Sequence, residues 1–180
     1  MKDYRIDLLP FLSLEDQQLL DSVGEALEQF EDEHNLFFEK TVNLIHDDWK
    51  TFYVLNYMHD DYCFSLLGDF LSGPGYSFLT FIPEALRKIG AFEYASAFEN
   101  SVQQAGLTLD LLNSERLQKI NDQEYFALCD RLESSVGSSF CKAFDELNEK
   151  IPFASLLARF VRTHAYSLSA QLIAPSSPDV

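Results

Sequence analysis

Basic residues are scarce in this chain: 13 Lys and Arg face 29 Asp and Glu over 180 residues, a formal charge of −16. Such a chain repels DNA, RNA and anionic membrane surfaces, so direct nucleic-acid binding is not expected. Long apolar runs are also missing. No stretch of about 18 apolar residues occurs, which argues against a membrane-spanning helix. The opening Met1-Lys2-Asp3-Tyr4-Arg5 lacks the apolar core of a secretory signal. Cysteine is limited to Cys63, Cys129 and Cys141, with no Cys-x-x-Cys pair. An odd, widely spaced set predicts reduced, buried thiols and a cytoplasmic location instead of a disulfide or zinc framework. Glycine is sparse too, at seven residues. Gly73-Pro74-Gly75 is too short for a phosphate loop and lacks its lysine, and no Gly-x-Ser-x-Gly elbow occurs.

What remains is apolar and aromatic. Hydrophobic residues make up 47%, with 16 Phe and 8 Tyr, enough to fill a real core. They recur at helical spacing. Ser13 and Asp16 resemble a capping box before Leu19, Leu20, Val23, Leu27 and Phe30. Further helices are expected from Leu36 to Ile45 and from Asp48 through Trp49, Phe52, Leu55 and Met58. Ser72-Gly73-Pro74-Gly75 reads as a loop. Pro83 suits the first turn of a helix that Gly90 would stop, and a helix from Phe92 to Gln104 would end at Gly106. Asn121 or Asp122 caps the next helix, with Tyr125, Leu128, Leu132 and Val136 on its buried face. Helices near 139–149 and after Pro152 complete the set. No strand alternation and no fixed repeat is visible. The fold class is therefore all-α: a single-domain helical bundle of roughly seven to nine helices with a Gly-Pro-Gly loop, spanning 1–170. Residues 171–180 read as a disordered tail.

The charge is unevenly placed. Residues 6–75 carry a net −13 and residues 76–180 only −4. Asp21, Glu25, Glu28 and Asp32 recur at spacings of 4, 3 and 4, which puts four carboxylates in one helical stripe with no Lys or Arg between them. Glu31 flanks the stripe, and Asp47-Asp48 and Asp60-Asp61 add acidic pairs near helix ends. A solvated face is the ordinary account of such a run. The sharper one is an imitation of a phosphate row, taken up by the Lys and Arg of a basic DNA-binding protein.

Catalytic and metal signals are weaker. Glu31-Asp-Glu-His34 contains one Glu-x-x-His pair, but a di-metal bundle needs a second. His46-Asp47-Asp48 and His59-Asp60-Asp61 suggest a metal-dependent hydrolase, although neighbouring residues on a helix point about 100° apart and do not converge by themselves. The expectation is a non-enzyme with no cofactor.

Two stretches stand out together. The first is Leu55-Asn-Tyr-Met58, Gly73-Pro-Gly-Tyr76 and Ile82-Pro-Glu-Ala-Leu-Arg-Lys-Ile-Gly-Ala91. The second is Ile120-Asn-Asp-Gln-Glu-Tyr-Phe126, Leu132 and Phe160-Val-Arg-Thr-His164. Over about 40–165 they resemble the bacterial DNA-mimic family of the neisserial dimeric type, whose core is a widespread domain of unknown function. The loop departs from that pattern, with Gly-Pro-Gly-Tyr in place of paired Gly then Phe. The resemblance implies an all-helical, often dimeric fold without catalytic residues. It also implies a partner that binds DNA, a repressor or nucleoid protein, whose DNA contact is blocked. The acidic helices at 13–60 are this chain's own feature. An immunity or antitoxin protein that neutralises a basic nuclease would use the same electrostatics, and stands as the alternative.

Overall fold

The computed structural model describes residues 5–63, 67–73, 75–112, 121–170 and 172. Among them the architecture is all-α. In chain order the helices are α1 (Asp16–His34), α2 (Phe38–Leu44), α3 (Asp47–Cys63), α4 (Leu67–Ser72), α5 (Ile82–Lys88) and α6 (Phe92–Gln104). They continue as α7 (Asp122–Arg131), α8 (Ser138–Asn148), α9 (Phe153–Thr163) and α10 (Ala165–Ala170). Short 3₁₀ turns lie at Tyr76–Phe78 and Leu109–Leu112.

Helix α3 is the centre of the body. It packs against α1, α2, α4, α5, α9 and α10. Its burial from Thr51 to Asn56 is unbroken, as expected for a helix enclosed on all sides. Trp49 is fully buried, and its indole N–H donates to the Leu168 carbonyl at 2.8 Å, tying α3 to α10. Around α6, α8 and α9 the core is aromatic. Phe144 contacts Tyr94, Phe140 and Phe153 at centroid distances of 4.8, 5.8 and 5.1 Å.

Helix ends follow the residues that can close them. At Gly90, φ is +82°; Gly90 N–H donates to Arg87 and Ala91 N–H to Leu86. That is a Schellman closure, and the left-handed residue is glycine because no Cβ meets the carbonyl. Asn35 closes α1 by the same pair of bonds at φ 52°. Asn121 caps α7 in a reciprocal box with Glu124.

Some expectations need correction. The Ser13–Asp16 box is not formed: α1 begins at Asp16, behind Glu15. The Asp16 carboxylate instead accepts from Arg162 Nη1 and Ser155 Oγ on α9, both at 2.6 Å. An ion pair with these donors outcompetes a local cap. Asp48 is likewise no cap, since it lies within the first turn of α3. Helix α7 buries none of its residues, and Tyr125 is exposed. Leu128 packs half-buried against the core, and full burial begins at Leu132, where a π segment (Leu132–Gly137) joins α7 to α8. There α4 crosses closely: a Cβ on Gly137 would stand 2.7 Å from Gly68 Cα. Cys63 is exposed and Cys129 and Cys141 are half-buried, so the thiols are free but not core residues. Leu172, placed in the expected tail, is buried and its carbonyl accepts from His46 N–H. The remainder of 171–180, the Pro74 of the Gly-Pro-Gly loop and residues 113–120 lie outside the described residues.

Candidate functional site: an acidic face on α1 and α3

Helix α1 buries Leu19, Leu20, Val23, Leu27 and Phe30 on one side. The opposite side leaves Asp21, Glu25, Glu28 and Asp32 exposed. From Asp21 to Asp32 the helix advances about 16 Å, so these carboxylates come at intervals of about 5.5 Å. One strand of duplex DNA carries a charge about every 3.4 Å of its axis. The stripe is within a factor of two of that density.

Asp60 and Asp61 join this face from the C-terminal end of α3. Burial pushes the Glu28 carboxyl above its ordinary range, and the charges of Asp60, Glu31, Glu25 and Asp32 push it further. Asp61 is pushed up to about 6, first by burial and then by Asp60 and Asp69. No described Lys or Arg pairs with Asp21, Glu25, Glu28, Asp32, Asp60 or Asp61. Described pairs to Lys or Arg are Arg87–Glu99, Lys88–Asp48 and Arg162–Asp16. Local amides supply partial relief: Gln17 donates to Asp21 at 2.8 Å and Asn56 to Asp60 at 3.1 Å.

Glu31 has a different position. It is half-buried, and its two oxygens accept from the hydroxyls of Thr41 and Tyr53. This carboxylate joins α1 to α2 and α3 beneath the exposed stripe. Burial and the Glu31 bond push the Tyr53 hydroxyl far up. Asp47 and Asp48 do not join the face. They lie about 20 Å away along α3 from Asp60 and Asp61. Asp48 is ion-paired to Lys88 at 2.8 Å and accepts from Ser167 Oγ at 2.8 Å. Despite its burial, these partners hold its carboxyl below the ordinary range.

Two residues of the face escaped sequence reasoning. Tyr57 is 36% exposed, and after burial the charges of Asp61, Glu31, Glu28 and Asp60 raise its hydroxyl. Asp69, exposed on α4, acts on Asp61. Tyr53, Tyr57, Asp60 and Asp61 follow i, i+4, i+7, i+8 spacing, so one side of α3 was readable as a tyrosine–carboxylate row.

The two His-Asp-Asp triplets stand apart in the structure. His46 precedes α3 and is exposed, whereas His59 is buried and stacks on Phe153 with centroids 5.6 Å apart. Thirteen residues separate them, about 20 Å along the helix. Among the described residues no group of three His, Cys, Asp or Glu is arranged to hold a metal ion. Also among them, no helix is long and apolar enough to cross a membrane.

Fold and face together define the class: an all-helical protein bearing a row of carboxylates whose spacing is within a factor of two of the charges along one DNA strand. The chain belongs to the DMP19-like protein family, whose model matches residues 43–164, well over half its length. That family suggests a DNA mimic and is generally non-catalytic. Neither the curated proteins nor the solved structures contain a match. The matched segment holds Asp60, Asp61 and Tyr57 but begins after α1, so the Asp21–Asp32 stripe is outside it.

Proposed function

We propose that this protein is a non-catalytic DNA mimic whose α1/α3 face docks on the basic DNA-binding surface of a partner protein and blocks its DNA contact. Asp21, Glu25, Glu28, Asp32, Asp60 and Asp61 act as phosphate surrogates, accepting charge-assisted hydrogen bonds from Lys and Arg. Tyr57 offers a ring on which a guanidinium stacks. Asp47 and Asp48, remote from this row, are not part of the docking surface, and Glu31 supports it from below.

One observation carries the reading: four exposed carboxylates stand in one stripe on α1 with Asp60 close to Glu28, and no described Lys or Arg pairs with any of them. Solubility alone needs only dispersed charge. Crowding costs stability in the free protein, and a cationic partner relieves that cost on binding. Family membership supports a DNA-binding protein as that partner.

The test is capture from a native extract at low salt, comparing the natural chain with the D21K/E25K/E28K triple variant. A captured DNA-binding protein should be lost with the triple variant and should release its DNA when the natural chain is added. Capture that survives charge reversal, or a partner that keeps its DNA, refutes the proposal.

A further inference from the structure

Away from the acidic face, a pocket of about 310 Å³ opens between the end of α5 and the end of α9. Its volume is at the small end of ligand sites. Its charged lining is wholly basic: Arg87, Lys88 and Arg159, with His164 beside them. In a chain of net charge −16, such a lining opposes the overall balance. It is assembled from two sequence stretches singled out above, Ile82–Ala91 and Phe160–His164, about 70 residues apart. Both lie inside the segment matched by the family.

The three permanent cations are not equivalent. Arg87 is paired with Glu99 and Lys88 with Asp48. Both lie in the last turn of α5, where cations offset the negative helix end. Arg159 has neither an ion pair nor a hydrogen-bond partner among the described residues, and it sits a turn before the end of α9. Gly90 makes its place. A Cβ there would stand 3.1 Å from Arg159 Nη2, so the missing side chain lets the guanidinium lie against the α5 terminus. His164 Nδ1 bonds the Phe160 carbonyl at 3.0 Å; that oxygen only accepts, so Nδ1 carries the proton. Nε2 then accepts from a protonated phosphate oxygen in the neutral ring and donates to a phosphate oxygen in the protonated one.

We propose that this pocket binds a small molecule carrying a phosphate group, with the Arg159 guanidinium as its principal ligand. A planar fork with two parallel N–H donors matches phosphate oxygens. Lys88 and Arg87, each already paired with a carboxylate, add shape and further N–H donors. Exposed Phe92 on the rim covers the organic part of the molecule. This site is independent of the acidic face and stands whether or not that face is a DNA mimic.

The experiment titrates the full chain with inorganic phosphate, and separately with ribose 5-phosphate, at constant ionic strength held with sodium chloride. Amide NMR shifts are followed. Saturable shifts at Gly90 and His164 are expected with either probe, and a larger affinity for ribose 5-phosphate with added shifts at Phe92 identifies an organic phosphate. Arg159→Gln should weaken binding at least tenfold, while Lys40→Gln, outside the pocket, should leave it unchanged. Should R159Q fail to fold by circular dichroism, Arg159→Lys serves: it keeps the charge, loses the fork and should bind more weakly. No saturable shift, or undiminished binding by these Arg159 variants, overturns the proposal. So does concentration-dependent self-association that phosphate reverses, because the pocket would then seat a carboxylate of a second copy.

Discussion

Replacing Asp61 by Asn should make the free protein more stable at neutral pH. Asp61 is half-buried on α3, no described donor bonds its carboxylate, and burial with Asp60 and Asp69 raises it from 3.8 to about 6. At about 1.4 kcal/mol for each pH unit, the penalty for keeping it ionised is at most ~3 kcal/mol. Solvent reaches part of this half-buried group and screens it, leaving about 1 kcal/mol as the expected gain. For a chain of this length that is a rise in Tm of roughly 2–4 °C. The sign with pH is fixed. Between 3.8 and about 6 the folded state holds the proton more tightly than the unfolded chain, so stability contributed by this group falls as pH rises through that window. The advantage of D61N should therefore be small at pH 4, grow up to about pH 6 and stay level at pH 7.5. Urea unfolding followed by circular dichroism at pH 4, 5, 6 and 7.5 measures it. A variant no more stable than the natural chain at pH 7.5, or one whose gain ignores pH, would refute the reading of Asp61 as a half-buried carboxylate held ionised at a cost beside Asp60 and Asp69.

Partner affinity should fall steeply with salt: raising ionic strength from 0.05 to about 0.3 M should weaken a captured complex by at least tenfold in a surface-binding assay. Gly137→Ala should cost about 1–3 kcal/mol in urea unfolding, because its Cβ would press on Gly68 Cα where α4 crosses the π segment. Arg162→Ala should cost about 2 kcal/mol by the same measurement. It strands the Leu12 and Leu14 carbonyls and the Asp16 carboxylate, which the guanidinium holds at 3.2, 2.7 and 2.6 Å.

Local signals read well from the sequence. Gly90, Gly106 and Asn121 marked helix ends because each rests on a residue's own backbone or side-chain chemistry. The stripe from Asp21 to Asp32 was legible because helical spacing alone puts those residues together. What failed was tertiary. Asp16 had two possible partners, a neighbouring backbone and an arginine 146 residues away, and nothing local tells which wins. Asp47-Asp48 and Asp60-Asp61 look alike as dipeptides. They part because α3 carries one pair to Lys88 and the other to the stripe. The unbroken burial of α3 from Thr51 to Asn56 drew attention away from the partly exposed Tyr57, Asp60 and Asp61 near its C-terminal end.

The segregation of charge along α3 has a consequence for encounter. Its first turn sits beside Lys88 and His164, and its last turn among unpaired carboxylates about 18 Å further on. The molecule therefore carries a permanent dipole in addition to its net charge. In the field of an approaching polycation it experiences a torque as well as a pull. It turns while still separated by solvent, so that the α1/α3 side leads and the phosphate pocket trails.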